Sequence, residues 1–245
     1  NYELGIGTKV NQTNFVQVLK EDKTPLDGIK AIAAGNNTGF AITEDGSVYT
    51  WGHNGNGQMG FGDATARGYA VKTSLTNIKQ ISAGTHFTLA LSEDGTVYGA
   101  GRNTEGQLGI RNSANTAVWT KMKNLDGTAD MTNVKKVSAG YYHTLVLIND
   151  GTVYSTGYNN NYQLADGTTT ARNYLSAMLN DEDEVVKNVK DIQAAGYVSF
   201  IITNNDELYS VGYNGYGQLV QWDTETRTKL TKANTKGKVE KIAAT

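Results

Sequence analysis

The chain has 245 residues, 38% of them hydrophobic and 19% charged, with 28 glycines, a single proline and no cysteine. Its 22 basic and 24 acidic residues leave a formal charge of −2 with no basic stripe, so nucleic acid is not an expected partner. Disulfides, thiolate metal sites and cysteine nucleophiles are excluded, and no apolar run approaches the roughly 18 residues that cross a bilayer.

In chain order, residues 1–28 open with NYELGIG and read as the end of a preceding repeat. The phrase IKAIAAG (Ile29 to Gly35) then begins a unit that recurs as IKQISAG (Ile78 to Gly84), VKKVSAG (Val134 to Gly140), VKDIQAAG (Val189 to Gly196) and VEKIAAT (from Val239). Counted between Gly35, Gly84, Gly140, Gly196 and Thr245, the spacings are 49, 56, 56 and 49. Each phrase leads into two apolar runs joined by a turn: FAITEDGSVYTWG, LALSEDGTVYGAG, LVLINDGTVYSTG and FIITNNDELYSVG. Gly46, Gly95 and Gly151 supply the positive φ of a tight hairpin turn. Asn205-Asp206 replaces Asp-Gly in the fourth copy, which predicts a strained turn or one of another type.

A loop follows each hairpin (GHNGNGQMG, GRNTEGQLG, GYNNNYQLA, GYNGYGQLV). A variable stretch and a last short run such as FVQVL, YAVKT, WTKMK or YLSAM complete the unit. Three or four short strands per repeat of roughly 50 residues, with no helix, predict blades of an all-β propeller, because one small sheet cannot bury both its faces. A β-solenoid of stacked hairpins is the alternative.

Taken alone, Gly55, Gly57 and Gly60 satisfy G-x-G-x-x-G, a dinucleotide fingerprint that needs a strand running into a helix. Loop and strand follow instead, and the sibling loops lose the glycines. Gln58, Gln107, Gln163 and Gln218 recur, each followed by Met or Leu, so the expected role is structural: a plugged blade and a glutamine amide satisfying loop backbone.

The phrases AG, x-x-H-T-L-x-L (Gly140 to Leu147), D-G-x-V-Y-x-x-G-x-N and G-Q-L-G resemble the RCC1 repeat. The resemblance covers four full copies and implies a β-propeller, usually of seven blades; the composition points to a bacterial member of the family. The family histidine occurs at His143, with Thr38, Phe87 and Ser199 in its place elsewhere. Four full units and a fragment do not close seven blades, so the resemblance implies one repeat domain over 1–245 that is part of a larger ring, or a ring that closes differently.

No nucleophile elbow, zinc-protease motif, Walker lysine or recurring carboxylate pair points to catalysis or a cofactor. His53, His86 and His143 lack metal-ligand spacing. His143 is expected to make structural hydrogen bonds, and the run Asp181 to Glu184 to be a solvated loop rather than a Ca²⁺ site. Tyr141, Tyr142, Tyr158, Tyr162, Tyr197, Tyr213 and Tyr216 lie in or beside loops, where Tyr with Asn and Gly suits a surface recognising protein or glycan; packing between blades is the equal alternative. Composition rich in Asn, Tyr, Lys, Ile and Thr points to an exported bacterial surface protein acting as a non-enzymatic binding module. A filament or phage-type subunit associating through blade ends, and guanine-nucleotide exchange on a small GTPase, are the other readings.

Overall fold

The computed structural model describes residues 2–244, which form 16 β-strands and no helix. Thr245, set above at the Gly35 position of the fifth phrase, lies outside the described residues. Each repeat is one four-stranded antiparallel meander. The first blade holds β1 (Ile29–Gly35), β2 (Thr38–Thr43), β3 (Val48–Gly52) and β4 (Arg67–Lys72); the second holds β5 (Ile78–Ala83), β6 (Phe87–Ser92), β7 (Val97–Gly101) and β8 (Thr116–Lys121). The third holds β9 (Val134–Ala139), β10 (His143–Ile148), β11 (Val153–Gly157) and β12 (Arg172–Ala177); the fourth holds β13 (Val189–Ala195), β14 (Val198–Thr203), β15 (Leu208–Gly212) and β16 (Arg227–Lys232).

The second strand of each blade is the most apolar for a physical reason. β6 and β14 are buried at every position, β6 between the first and third blades and β14 between the third blade and the segment from Ala233 to Ala244, and a strand buried on both faces reads as a continuous apolar run. The core lies between blades: Leu89, Leu91 and Val97 of the second blade share a cluster with Val134, Val137 and Val146 of the third.

Innermost strands of neighbouring blades are joined by side chains. Gln80 accepts the Val137 N–H at 3.1 Å and donates to the Val137 carbonyl at 2.8 Å. Ser82 Oγ accepts the Ala139 N–H at 2.9 Å, and Ser138 Oγ accepts that of Ala194 at 2.8 Å. Edge N–H groups of β9 and β13 are thereby satisfied without a fifth strand. Ala31 and Ala33 hold these positions in the first blade, so its junction with the second lacks both links.

Opposite the loop face, each hairpin turn is tied to the next repeat. The Ile78, Val134, Val189 and Val239 N–H groups donate to the carbonyls of Gly46, Gly95, Gly151 and Asp206. The fourth turn is the same turn as the others, not a different type: Asp206 takes φ +65° where Gly46, Gly95 and Gly151 take +76°, +86° and +86°. Lys190 and Lys238 both pair with its carboxylate.

The segment before the first blade meets that blade's outer strand, through Ile6 and Lys20. Ile6 bridges Tyr69 there, as Phe61 of the first repeat bridges Val118 on the second.

Pairing corrects one sequence register. His143 pairs with Gly157 as Val198 pairs with Gly212, so Val198, not Ser199, stands at the family histidine position. Ala195, not Gly196, therefore matches Gly35, Gly84 and Gly140; Gly196 falls one step later with φ +52°. The reason is steric. A Cβ on Gly84 would lie 2.1 Å from the Phe87 ring, and one on Gly140 2.3 Å from the His143 ring, whereas the smaller Val198 leaves room for Ala195.

Candidate functional site

In an antiparallel meander the first-to-second turn and the third-to-fourth loop emerge on one face of the propeller. The loop signature is a recurring hydrogen-bond unit, although the buried Nε2 groups of Gln107 and Gln163 have no partner in it. Gln58, Gln107, Gln163 and Gln218 each accept, through Oε1, the N–H two residues earlier, at 2.9–3.1 Å. Met59, Leu108, Leu164 and Leu219 behind them are wholly buried.

Asn54, Asn103, Asn159 and Asn214, not singled out above, hold the same loops from the other side. Each is fully buried, with Oδ1 accepting the N–H of Met59, Leu108, Leu164 or Leu219 at 2.9 Å. Their Nδ2 groups reach across the loop, Asn103 to the Asn112 carbonyl at 2.8 Å and Asn214 to that of Asp223 at 3.0 Å. The signal was present in the recurring G-x-N. The glycine pattern makes no phosphate cradle: no helix follows it, and Cβ atoms on Gly57 and Gly60 would strike Ala117 and Trp119 of the second blade.

His143 is fully buried, with Nε2 3.0 Å from Ser199 Oγ, and burial pulls its pKa down to about 4. Ser199 Oγ donates to the Gln163 carbonyl at 2.7 Å, so it accepts from the ring N–H. Among the described residues no cluster of three or more His, Cys, Asp or Glu could hold a metal. In the acidic run, Asp181 accepts from Thr231 and Asp183 pairs with Lys229, which ties the loop to β16.

The tyrosines divide into three groups. Tyr141, Tyr142, Tyr158 and Tyr197 form one cluster with ring centroids 5.4–6.4 Å apart. Tyr213 and Tyr216 form a separate pair at 5.9 Å. Tyr162 is not brought in; it takes the left-handed turn position that Gly57, Gly106 and Gly217 occupy elsewhere.

The cluster belongs to a rail that crosses all four blades. Within a blade, the residue after the third strand bonds back to the first-to-second turn: His53 N–H to Asn37, Arg102 to His86, Tyr158 to Tyr142 and Tyr213 to Tyr197. Between blades, the same residue packs on the next turn. His53 lies 6.4 Å from His86, Arg102 sits 4.6 Å over the Tyr142 ring, and Tyr158 lies 5.6 Å from Tyr197. The rail grades from Asn and His, through Arg, to Tyr. Tyr141 is 46% and Tyr216 87% exposed, so this end of the face offers aromatic area to solvent. Burial and the neighbouring tyrosines raise the Tyr197 pKa, keeping its hydroxyl protonated as a donor.

A family model, RCC1-like domain, matches residues 3–245. The X-linked retinitis pigmentosa GTPase regulator of Mus musculus is 43% identical over 61 residues, 25% of this chain and 6% of that protein. An RCC1 repeat-containing protein of Dictyostelium discoideum is 30% identical over 90 residues, 34% of this chain and 18% of that protein. Among solved structures, human WBSCR16 superposes with a TM-score of 0.81 at 22% identity, over 100% of this chain and 63% of that one. Yeast RCC1 (Prp20) bound to Kap60 gives 0.70 at 22% identity, over 88% and 52%. The chain thus spans less than two thirds of each of these relatives. The fold is that of RCC1 propellers, with four antiparallel blades.

Proposed function

The chain belongs to the RCC1-like domain family, and on that premise we propose that it is a protein-binding propeller whose partner docks on the rail face. The observation that carries this reading is the clustering of Tyr141, which is exposed, with the half-buried Tyr142, Tyr158 and Tyr197, and with Arg102 stacked on Tyr142. Tyrosine and arginine supply rigid contact area at low entropic cost, and binding energy concentrates on such residues. Relatives support a protein rather than a glycan partner, since yeast Prp20 is described bound to Kap60 and by its binding to Gsp1p and histones.

The test compares proteins captured by the wild type, by Tyr142→Ala/Tyr197→Ala and by Lys187→Ala on the opposite face. A set kept by the wild type and Lys187→Ala but lost by the double variant supports the reading. Equal capture by all three contradicts it.

Nucleotide exchange on a small GTPase is a second reading, favoured by the match to Ras guanine nucleotide exchange factor C of Dictyostelium discoideum, 48% identical over 40 residues. A panel of GTPases loaded with labelled nucleotide, assayed for accelerated release, separates the two; no acceleration is expected. Export and a bacterial surface location rest on composition alone, and the full reading frame tests them through an export signal.

A further inference from the structure

The rail face differs from the rest of the molecule in how its charges are arranged. The four first-to-second turns carry no carboxylate, lysine or arginine. In the third-to-fourth loops and the strand starts beside them, the charges are paired locally: Arg67 with Asp63 at 2.8 Å, Arg102 with Glu105 at 3.2 Å, Arg172 with Asp166 at 2.9 Å and Arg227 with Asp223 at 2.5 Å. Glu225 adds a longer contact to the same Arg227, and Arg111 donates to the Leu125 carbonyl. The opposite face carries charge on its turns: Glu44, Asp45, Glu93, Asp94, Asp150 and Asp206 stand there, and the connection before the fourth blade adds the run from Asp181 to Glu184. Some of these are paired, Glu93 with Lys30, Asp206 with Lys190 and Lys238, and Asp183 with Lys229, but the turns themselves are charged where those of the rail face are not.

Resting on the reading of the rail as a binding surface, we infer that its partner segment is uncharged: a polypeptide stretch of aromatic or aliphatic side chains and backbone hydrogen-bonding groups, bound without net ion-pair formation. Two physical costs favour this partner. An acidic or basic segment would have to break a pair such as Arg102–Glu105 to gain a counter-charge, or lose hydration against tyrosine rings without one. A neutral segment meets the area that interface cores favour, depleted of charge and rich in Tyr. The graded rail gives the segment a direction. Its hydrogen-bonding groups lie over His53, His86 and Arg102, and its apolar groups over Tyr142, Tyr158 and Tyr197.

The experiment is selection of a displayed random dodecapeptide library on the whole chain. Each selected peptide is then titrated against wild type, Tyr142→Ala/Tyr197→Ala and Tyr142→Phe/Tyr197→Phe at low and high salt. Expected are peptides poorer in Asp, Glu, Lys and Arg than the unselected library, weakened about tenfold or more by the Ala pair, a typical loss for aromatic anchors. Their affinity should change less than about twofold between roughly 50 and 500 mM NaCl, since no fixed charge is neutralised. The Phe pair keeps the rings and the fold, so a retained affinity there assigns any Ala loss to ring contact rather than unfolding. Peptides that need the tyrosines but are charged and weakened by salt would overturn the neutral-segment inference and leave the rail as the site. Peptides indifferent to both variants would overturn the rail itself.

Discussion

His143 Nε2 in the third blade and Ser199 Oγ in the fourth lie 3.0 Å apart, a buried hydrogen bond across a blade boundary. Its serine hydroxyl passes the chain on to the Gln163 carbonyl at 2.7 Å, so one histidine ties the third blade's loop to the fourth blade's sheet. Burial keeps this ring neutral, with its pKa lowered from 6.5 to about 4. Unfolded, the ring takes up a proton as pH falls through 6.5; folded, it does not until about pH 4. Stability is therefore complete above pH 6.5 and falls between 6.5 and 4 by about 1.4 kcal/mol per pH unit from this group. His86 is shifted the same way, by burial and then by the His53 and Arg102 charges, and adds to the slope. His143→Gln should flatten most of it in urea titrations at a series of pH values. An unchanged slope would show that the ring is not the group responsible.

Carboxylates act in a lower window. Hydrogen bonds from Thr43 and from Ser47 hold Asp45 at about 2, and Ser92 and Thr96 lower Asp94. Their contribution is present above the ordinary carboxylate range and lost as pH falls below it. In urea titrations at a series of pH values, stability should therefore fall in two separate pH windows, and Asp45→Asn should alter only the lower one.

Gly84 is a steric requirement rather than a conformational one. Gly84→Ala places a methyl 2.1 Å from the Phe87 ring and 2.6 Å from the Gly140 carbonyl, and overpacking of this kind costs about 1–3 kcal/mol. Gly237→Ala meets nothing within 4 Å and should change stability by less than about 0.5 kcal/mol. Chemical denaturation of the two variants side by side reads the difference.

Asn103 is the internal strut of its loop. Asn103→Ala removes the acceptor for the Leu108 N–H and the donor to the Asn112 carbonyl in a wholly buried site, at a cost of about 2–3 kcal/mol. The amides of residues 104–111 should exchange faster in the variant.

The first junction can be strengthened. Ala33 stands where the Ser82 and Ser138 hydroxyl oxygens accept from the next blade's N–H groups. Ala33→Ser should supply the missing link to Ala83 and raise stability by about 0.5–1 kcal/mol, read as a rise in Tm.

What the sequence made legible was the local chemistry. Hairpins, their Asp-Gly turns and the Gln-Leu loop recur because each is stabilised within its own repeat, so four copies display one pattern. Contacts between repeats left no such trace. His53 with His86, Arg102 with Tyr142 and Tyr158 with Tyr197 are equivalent pairs of different chemistry, and only the structure shows that they occupy one rail. The shift from Gly196 to Ala195 was hidden for a related reason: Gly84 and Gly140 are needed because a ring lies over each of them, and Val198 is not a ring. Asn103 and its three equivalents were visible as a recurring letter, but their burial was not.

The most direct measurement is site-specific photocrosslinking in the full-length protein, with a benzophenone side chain replacing Tyr142 on the rail or Asn149 on the opposite face. The account predicts a protein adduct from position 142 and none from 149. Adducts from 149 alone would contradict it.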